Sequence, residues 1–161
     1  MIVWHYTTGL NMVGILDDMC LHPEHRQLGK GERGAVWFSS REDWEPTATK
    51  ALGEKASGMA VQMDLERMER MCRGLFRIGV DRDKTAPISW ARWKRLSGCP
   101  ALLASCLEQV GREQGGNPVD WWCTFKPVPV EAWRLTEMRA PDGDWVPWVP
   151  EEFLDVPSSG R

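Results

Sequence analysis

The stretch that decides the architecture is Ile2-Val3-Trp4-His5-Tyr6-Thr7-Thr8, followed at once by Gly9-Leu10-Asn11-Met12-Val13-Gly14-Ile15-Leu16. The first seven residues are an apolar run of strand length that ends in a histidine and hydroxyl groups. Thr8 is placed to cap a helix in which Leu10, Val13 and Leu16, together with Met12, Ile15 and Met19, cover a broad apolar face. Gly9 and Gly14 weaken that helix, so it is expected to be short and held by packing. From Cys20 to Gly34 the chain is polar and carries Pro23, the signature of a surface loop, which either connects or closes over a ligand. A second strand, Ala35-Val36-Trp37-Phe38-Ser39-Ser40, follows.

Beyond Ser40 the pattern predicts a helix that starts at Asp43 or Pro46, runs through Thr49 and Leu52, and stops at Gly53 or Gly58. Met59 to Asp64 alternates as a half-buried strand does. Leu65, Met68, Met71 and Cys72 recur at helical spacing, and Leu75 to Val80 returns to strand. Ile88 to Leu96 fits a short helix with Trp90 and Trp93 on one face and a basic rim. Pro100 opens a longer helix to about Gln114, with Leu102, Leu103, Cys106, Leu107 and Val110 predicted to face inward, and Gly115-Gly116-Asn117-Pro118 stops it. Three short strands remain, Trp121–Phe125, Ala132–Met138 and Trp145–Trp148, with Pro141-Asp142-Gly143-Asp144 as a hairpin turn. Strands and helices do not alternate strictly, which favours an α+β domain over a doubly wound parallel sheet.

A chain of 161 residues, 42% hydrophobic and 27% charged, is a globular one long enough to bury a core. One domain over residues 1–156 is expected, with a loose tail at 157–161. The net charge of −3 argues against broad electrostatic capture of nucleic acid, leaving local patches such as Arg67, Arg70, Arg73 and Arg77. Ten tryptophans in a chain of this size place aromatic rings in the core, at half-buried edges or along a ligand groove. The five cysteines are odd in number and contain no Cys-x-x-Cys pair, as suits reduced thiols in a cytoplasm. The first residues lack the pattern of a signal peptide, and no apolar run approaches the ~20 residues a membrane helix needs, so a soluble cytoplasmic protein is expected.

His5, Tyr6, Thr7 and Thr8 gather polar groups where a strand runs out, which makes either a hydrogen-bonded core histidine or one edge of a concave ligand site. Ser39 and Ser40 end the other strand, where hydroxyls hold a ribose or phosphate, or form a strand-end turn. Trp44 and Glu45 bring an aromatic plane and a carboxylate to the same edge. His22 and His25, with Glu24 between them, are spaced for a metal, but Pro23 breaks the helix that spacing requires and a third ligand is missing, so no metal is expected. No phosphate-cradling glycine loop or nucleophile elbow is present.

These pieces, in this order, resemble the start of the ADP-ribosyltransferase fold, above all the catalytic domains of poly(ADP-ribose) polymerase type. There a Trp-His-Gly-Ser/Thr strand runs into an Asn-Phe-x-x-Ile-Leu helix and then a Gly-Lys-Gly-Ile-Tyr-Phe-Ala strand. The matching residues here are Trp4-His5-Tyr6-Thr7, Asn11 to Leu16 and Gly34 to Ser39, about a third of the chain. The resemblance implies a split antiparallel or mixed sheet with flanking helices. It also implies NAD as substrate and transfer of ADP-ribose to a macromolecular acceptor, protein or nucleic acid, or NAD hydrolysis. His5 would grip a ribose hydroxyl and the Tyr6 main chain the nicotinamide amide. Thr7, Ser39 and Ser40 would support the ribose. Trp44, or Trp37, would stack in place of the family's tyrosine, and Glu131 would polarise the reacting ribose, with Glu45 and Glu137 as alternatives. Tyr6 stands where the family has glycine. A binding protein that keeps the fold without turnover, and a tryptophan-rich single-strand nucleic-acid binder built on Trp90 to Arg95, are the competing readings.

Overall fold

The computed structural model describes residues 1–24, 29–49, 51–53 and 60–149. In chain order the elements are β1 (Ile2–Thr8), α1 (Gly9–Asp18), β2 (Cys20–Leu21), β3 (Val36–Ser39), β4 (Ala51–Gly53), β5 (Ala60–Gln62), α2 (Leu65–Met71), β6 (Leu75–Asp81), α3 (Arg82–Thr85), β7 (Ile88–Ser89), α4 (Trp90–Leu96), α5 (Ala101–Glu113), β8 (Trp121–Thr124), β9 (Val128–Pro129), β10 (Trp133–Arg139) and β11 (Trp145–Pro147). The predicted tail at 157–161, and Met59 at the start of the predicted strand, lie outside the described residues.

Seven strands form one sheet in the order β11-β10-β6-β1-β3-β8-β7, and each neighbouring pair is antiparallel. The protein is a single α+β domain, as the patterning predicts. The apolar first strand lies at the centre of the sheet. It is laddered to β6 at every position from Ile2↔Asp81 to Thr8↔Leu75, but to β3 only at Trp4↔Ser39. β3 in turn is fully laddered to β8. The sheet is therefore two well-bonded halves that share a narrow junction between β1 and β3, and the edges that diverge from it leave backbone groups for side chains or ligands to meet.

The pleat sorts β1 between two environments. Val3 joins Phe38, Phe76, Ile78, Val80 and Met12 in the main core under α1. Trp4 and Tyr6 point the other way, toward Arg77, which lies 3.9 Å over the Trp4 ring and 4.7 Å over that of Trp145. Arg77 is buried and ion-paired to Glu137 at 2.5 Å, so it takes no part in a basic surface patch. At the start of α1, a Cβ on Gly9 would lie 2.0 Å from the carbonyl oxygen of Arg73, and the Gly9 N–H donates to the Gly74 carbonyl at 3.0 Å. Only glycine allows the helix to leave the strand this close to β6. Thr8 holds the cap position in extended conformation, but its hydroxyl makes no capping bond, contrary to the sequence reading.

Three further expectations are corrected. The helix predicted from residue 43 or 46 to 52 is a single 3-10 turn, Pro46–Ala48, followed by β4. The Glu45 carboxylate is drawn into the protein instead, and tertiary bonds override helix propensity. The long helix is present as α5, but its faces are reversed. Leu102, Leu103, Cys106, Leu107 and Val110 are exposed, and the buried positions are Ala104 and Gly111. A Cβ on Gly111 would lie 2.5 Å from the Trp121 ring, so α5 docks through its small residues onto an indole. Finally, Trp90 and Trp93 on α4 are buried and stacked on each other at 4.6 Å, which removes the two indoles that a single-strand nucleic-acid binder would use for base stacking. Among the described residues no helix is long and apolar enough to cross a membrane.

Candidate functional site

A concavity of about 930 Å³ runs along the β1–β3 junction with α1 on one wall and α5 on the other. A volume of this size is that of a small-molecule or cofactor site. His5, Tyr6, Thr7, Ser39 and Glu45 line it, so it gathers five of the eight residues nominated from sequence.

His5 sits on β1 just past Trp4, where the ladder to β3 stops. Its Nδ1 lies 2.9 Å from the main-chain oxygen of Trp37. A carbonyl only accepts, so Nδ1 donates to it. The imidazole takes the place of a ladder bond and its orientation is fixed by that substitution. Phe38 packs edge-on at 6.1 Å. Thr7, on the same face of β1, is buried.

Tyr6 points to the opposite face. Its hydroxyl donates to the Arg41 carbonyl at 2.5 Å, and its ring packs at 5.1 Å on Trp44 and 5.9 Å on Trp145. Burial pushes its phenol above the ordinary tyrosine range, with Arg77 partly opposing. The phenol standing where the resemblance calls for glycine is thus absorbed by an aromatic cluster, and it anchors the turn that follows β3.

That turn carries the most densely bonded polar group beside the groove. Glu45 Oε2 accepts from Ser39 Oγ at 2.7 Å, and Oε1 accepts from Thr47 Oγ1 at 2.8 Å, Trp121 Nε1 at 3.2 Å and the Thr47 N–H at 3.3 Å. Ser39 Oγ in turn accepts from the Arg41 N–H at 3.2 Å. Ser39 and Glu45 are both buried, and the Glu45 carboxylate is held by four donors from three segments.

The other nominated residues lie elsewhere. Ser40 does not line the groove: its Oγ donates to Asp120 Oδ1 at 2.7 Å and its N–H to the Asp120 carbonyl at 2.9 Å, the strand-end turn that sequence left open as an alternative. Trp44 stacks on Trp145, 10° from parallel at 6.5 Å, within the cluster around Tyr6, and does not line the groove. Glu131 lies in a 3-10 turn ahead of β10, in a separate cavity of about 290 Å³ with Asp81, Lys84 and Arg134. Since Trp133 pairs with Val80 and Ile2 with Asp81, that turn is at the first residues of β1. Glu137 is committed to Arg77.

Sequence reasoning missed Trp121, Thr47 and the α5 residues Leu107 and Val110. Trp121 is separated from Glu45 by 76 positions, and no local pattern joins them. The leucine spacing of α5 was visible, but it was assigned to the core. The groove's acidic side chains are Asp18, Glu24 and Glu45, and no lysine or arginine is among the described residues that line it. Asp18 and His22 approach to 3.5 Å at its α1 end. Among the described residues no group of three or more histidine, cysteine, aspartate and glutamate side chains is placed to hold a metal ion. The chain matches no protein-family model, no curated protein and no solved structure.

Proposed function

We propose that the groove along β1 and β3 binds NAD, and that the protein is an ADP-ribosyltransferase-like domain that uses it as substrate, passing ADP-ribose to a macromolecular acceptor or to water. The observation that carries this reading is His5, held to the Trp37 carbonyl at the point where the central sheet parts and lining the same groove as the buried Ser39–Glu45 pair. Hydroxyl-rich ligands are recognised by such fixed hydrogen-bonding groups. The free state of all five cysteines fits a reducing, cytoplasmic setting.

In the reaction, the bond between the anomeric carbon and the nicotinamide nitrogen breaks, the pair of electrons leaves with neutral nicotinamide, and positive charge develops on the ribose. A carboxylate near that carbon stabilises it. Glu45 lines the groove and Glu131 does not, so Glu45 takes this role in the present reading. Its four donors favour a second reading, a protein that binds NAD without turning it over, since a carboxylate so fully engaged has little charge left to offer. Nicotinamide release from NAD, measured with the parent protein and with Glu45→Gln and Glu131→Gln, separates the two. Release that falls about 10²–10³-fold in folded Glu45→Gln alone supports the enzyme. Saturable NAD binding without release, with or without acceptor proteins, supports the binder.

A further inference from the structure

A surface helix ordinarily turns its apolar stripe to the core, and α5 does the reverse. Leu102, Leu103, Leu107 and Val110 are 79%, 44%, 47% and 50% exposed, and Cys106 among them is exposed as well. With 3.6 residues per turn these five side chains fall on one continuous arc of about 140°. The helix is not free to roll that arc inward. A Cβ on Gly111 would lie 2.5 Å from the Trp121 ring, and Glu108, on the side of the helix away from the arc, is fixed by Trp90 Nε1 at 2.6 Å and Lys94 Nζ at 2.7 Å. The outward stripe is therefore built into the packing.

Its charge and its symmetry suit a copy of itself. In a two-fold pairing each residue near the axis meets its own copy, so a charged side chain there repels itself. From Ala101 to Leu107 the helix carries no charged residue. An antiparallel arrangement lays Leu102 and Leu103 of one copy against Val110 and Leu107 of the other, with Cys106, midway between Leu102 and Val110, at the axis. The stripe is of the class of the largest apolar patch on a monomer, about 300–600 Å². Two such patches with their polar rims reach only the low end of specific interfaces, about 1,200 Å² in total. That area supports a reversible pairing, in which the Cys106 thiol stays reachable in dilute protein.

We propose that the outward face of α5 is a self-association surface, on which a second copy of this chain docks antiparallel about a two-fold axis at Cys106. The pairing is independent of the NAD reading.

The test is sedimentation velocity of the full, reduced chain from micromolar to millimolar concentration. A reversible monomer–dimer equilibrium is expected. Leu103→Asp, which brings a carboxylate into the apolar stripe, should weaken the dimer by about tenfold or more, while Met71→Asp, at an exposed position on α2, should not. Leu103 is not among the residues that line the groove, so its replacement leaves the ligand site alone. Circular dichroism confirms that both variants are folded. A second measurement locates the axis. Helices packed about 8–10 Å apart bring facing Cα atoms within reach of a disulfide. Diamide, which takes up the two hydrogens lost by a pair of thiols, should therefore link concentrated parent protein through Cys106 to Cys106, as read by mass spectrometry, and should link Leu103→Asp far less. A chain that stays monomeric at every concentration leaves the stripe to a different partner and overturns the proposal. So does a dimer that Leu103→Asp leaves unchanged, or one that diamide links only through another cysteine.

Discussion

Ser39 Oγ donates to Glu45 Oε2 across 2.7 Å in a site closed to solvent, and this one bond ties the end of a central strand to the turn that contacts β8. Ser39→Ala leaves one oxygen of a buried carboxylate short of a donor, a loss of about 1–3 kcal/mol. Glu45→Gln removes the charge and puts an amide N–H₂ where the Ser39 hydroxyl must turn from donor to acceptor, so it too should destabilise. Urea unfolding of the two variants checks this: midpoints equal to the parent's would mean that the network contributes nothing to stability.

The same network shows where sequence reading stopped. The β1–α1–β3 order and the α+β class were legible because a strand-length apolar run, helical spacing after Gly9 and a second apolar run of Val36, Trp37 and Phe38 are local patterns. Glu45 was nominated for the ligand edge, but its bonds to Ser39 and Trp121 were not legible, because those partners are brought to it only by folding. The inversion of α5 has a different origin. Periodicity reports which side chains share a face, but not what that face meets, and here the inward side is made of Ala104 and Gly111 against Trp121 while the leucines border the groove. Glu131 was placed from a strand-start pattern inherited from the resemblance, and the register of β10 carries it to the other cavity.

Glu108 joins α5 to α4. It accepts from Trp90 Nε1 at 2.6 Å, Lys94 Nζ at 2.7 Å and Arg112 at 3.1 Å, and these bonds, Lys94 foremost, hold its carboxyl down to about 2. A carboxyl depressed in the folded state stabilises above its unfolded value, near 4.5, and the contribution fades as pH falls toward 2. Glu108→Gln should therefore be less stable than the parent at pH 7, and the difference should shrink between pH 4.5 and pH 2. A constant difference across that window would show that the carboxylate's charge is not what holds the two helices.

Cys123 is buried in β8, and burial pushes its thiol up to about 12, while Cys106 lies exposed on α5. Since the thiolate is the reactive species, a disulfide reagent at pH 8 should label Cys106 within minutes and Cys123 only after denaturation. Mass spectrometry of the labelled peptides reads the order, and prompt labelling of Cys123 in the native protein would contradict the packing described for β3 and β8.

Arg77 is enclosed by two indoles and paired with Glu137, so truncation leaves a carboxylate without its partner in a nearly closed site. Arg77→Ala is expected to lose about 3–5 kcal/mol, and Glu137→Gln less, because it keeps the shape and a hydrogen-bond acceptor. Thermal unfolding of both variants provides the comparison; equal losses would mean that the charge on Arg77 is satisfied by its other contacts.

The most direct test of the central claim is a calorimetric titration of the full chain with NAD, run on the parent and on His5→Ala. The parent should give a saturable heat with one site. The variant, with an unchanged circular dichroism spectrum, should bind several-fold more weakly, since one ligand hydrogen bond contributes about 0.5–1.5 kcal/mol. A featureless titration of the parent, or an affinity unaltered in folded His5→Ala, would contradict the assignment of this groove to NAD.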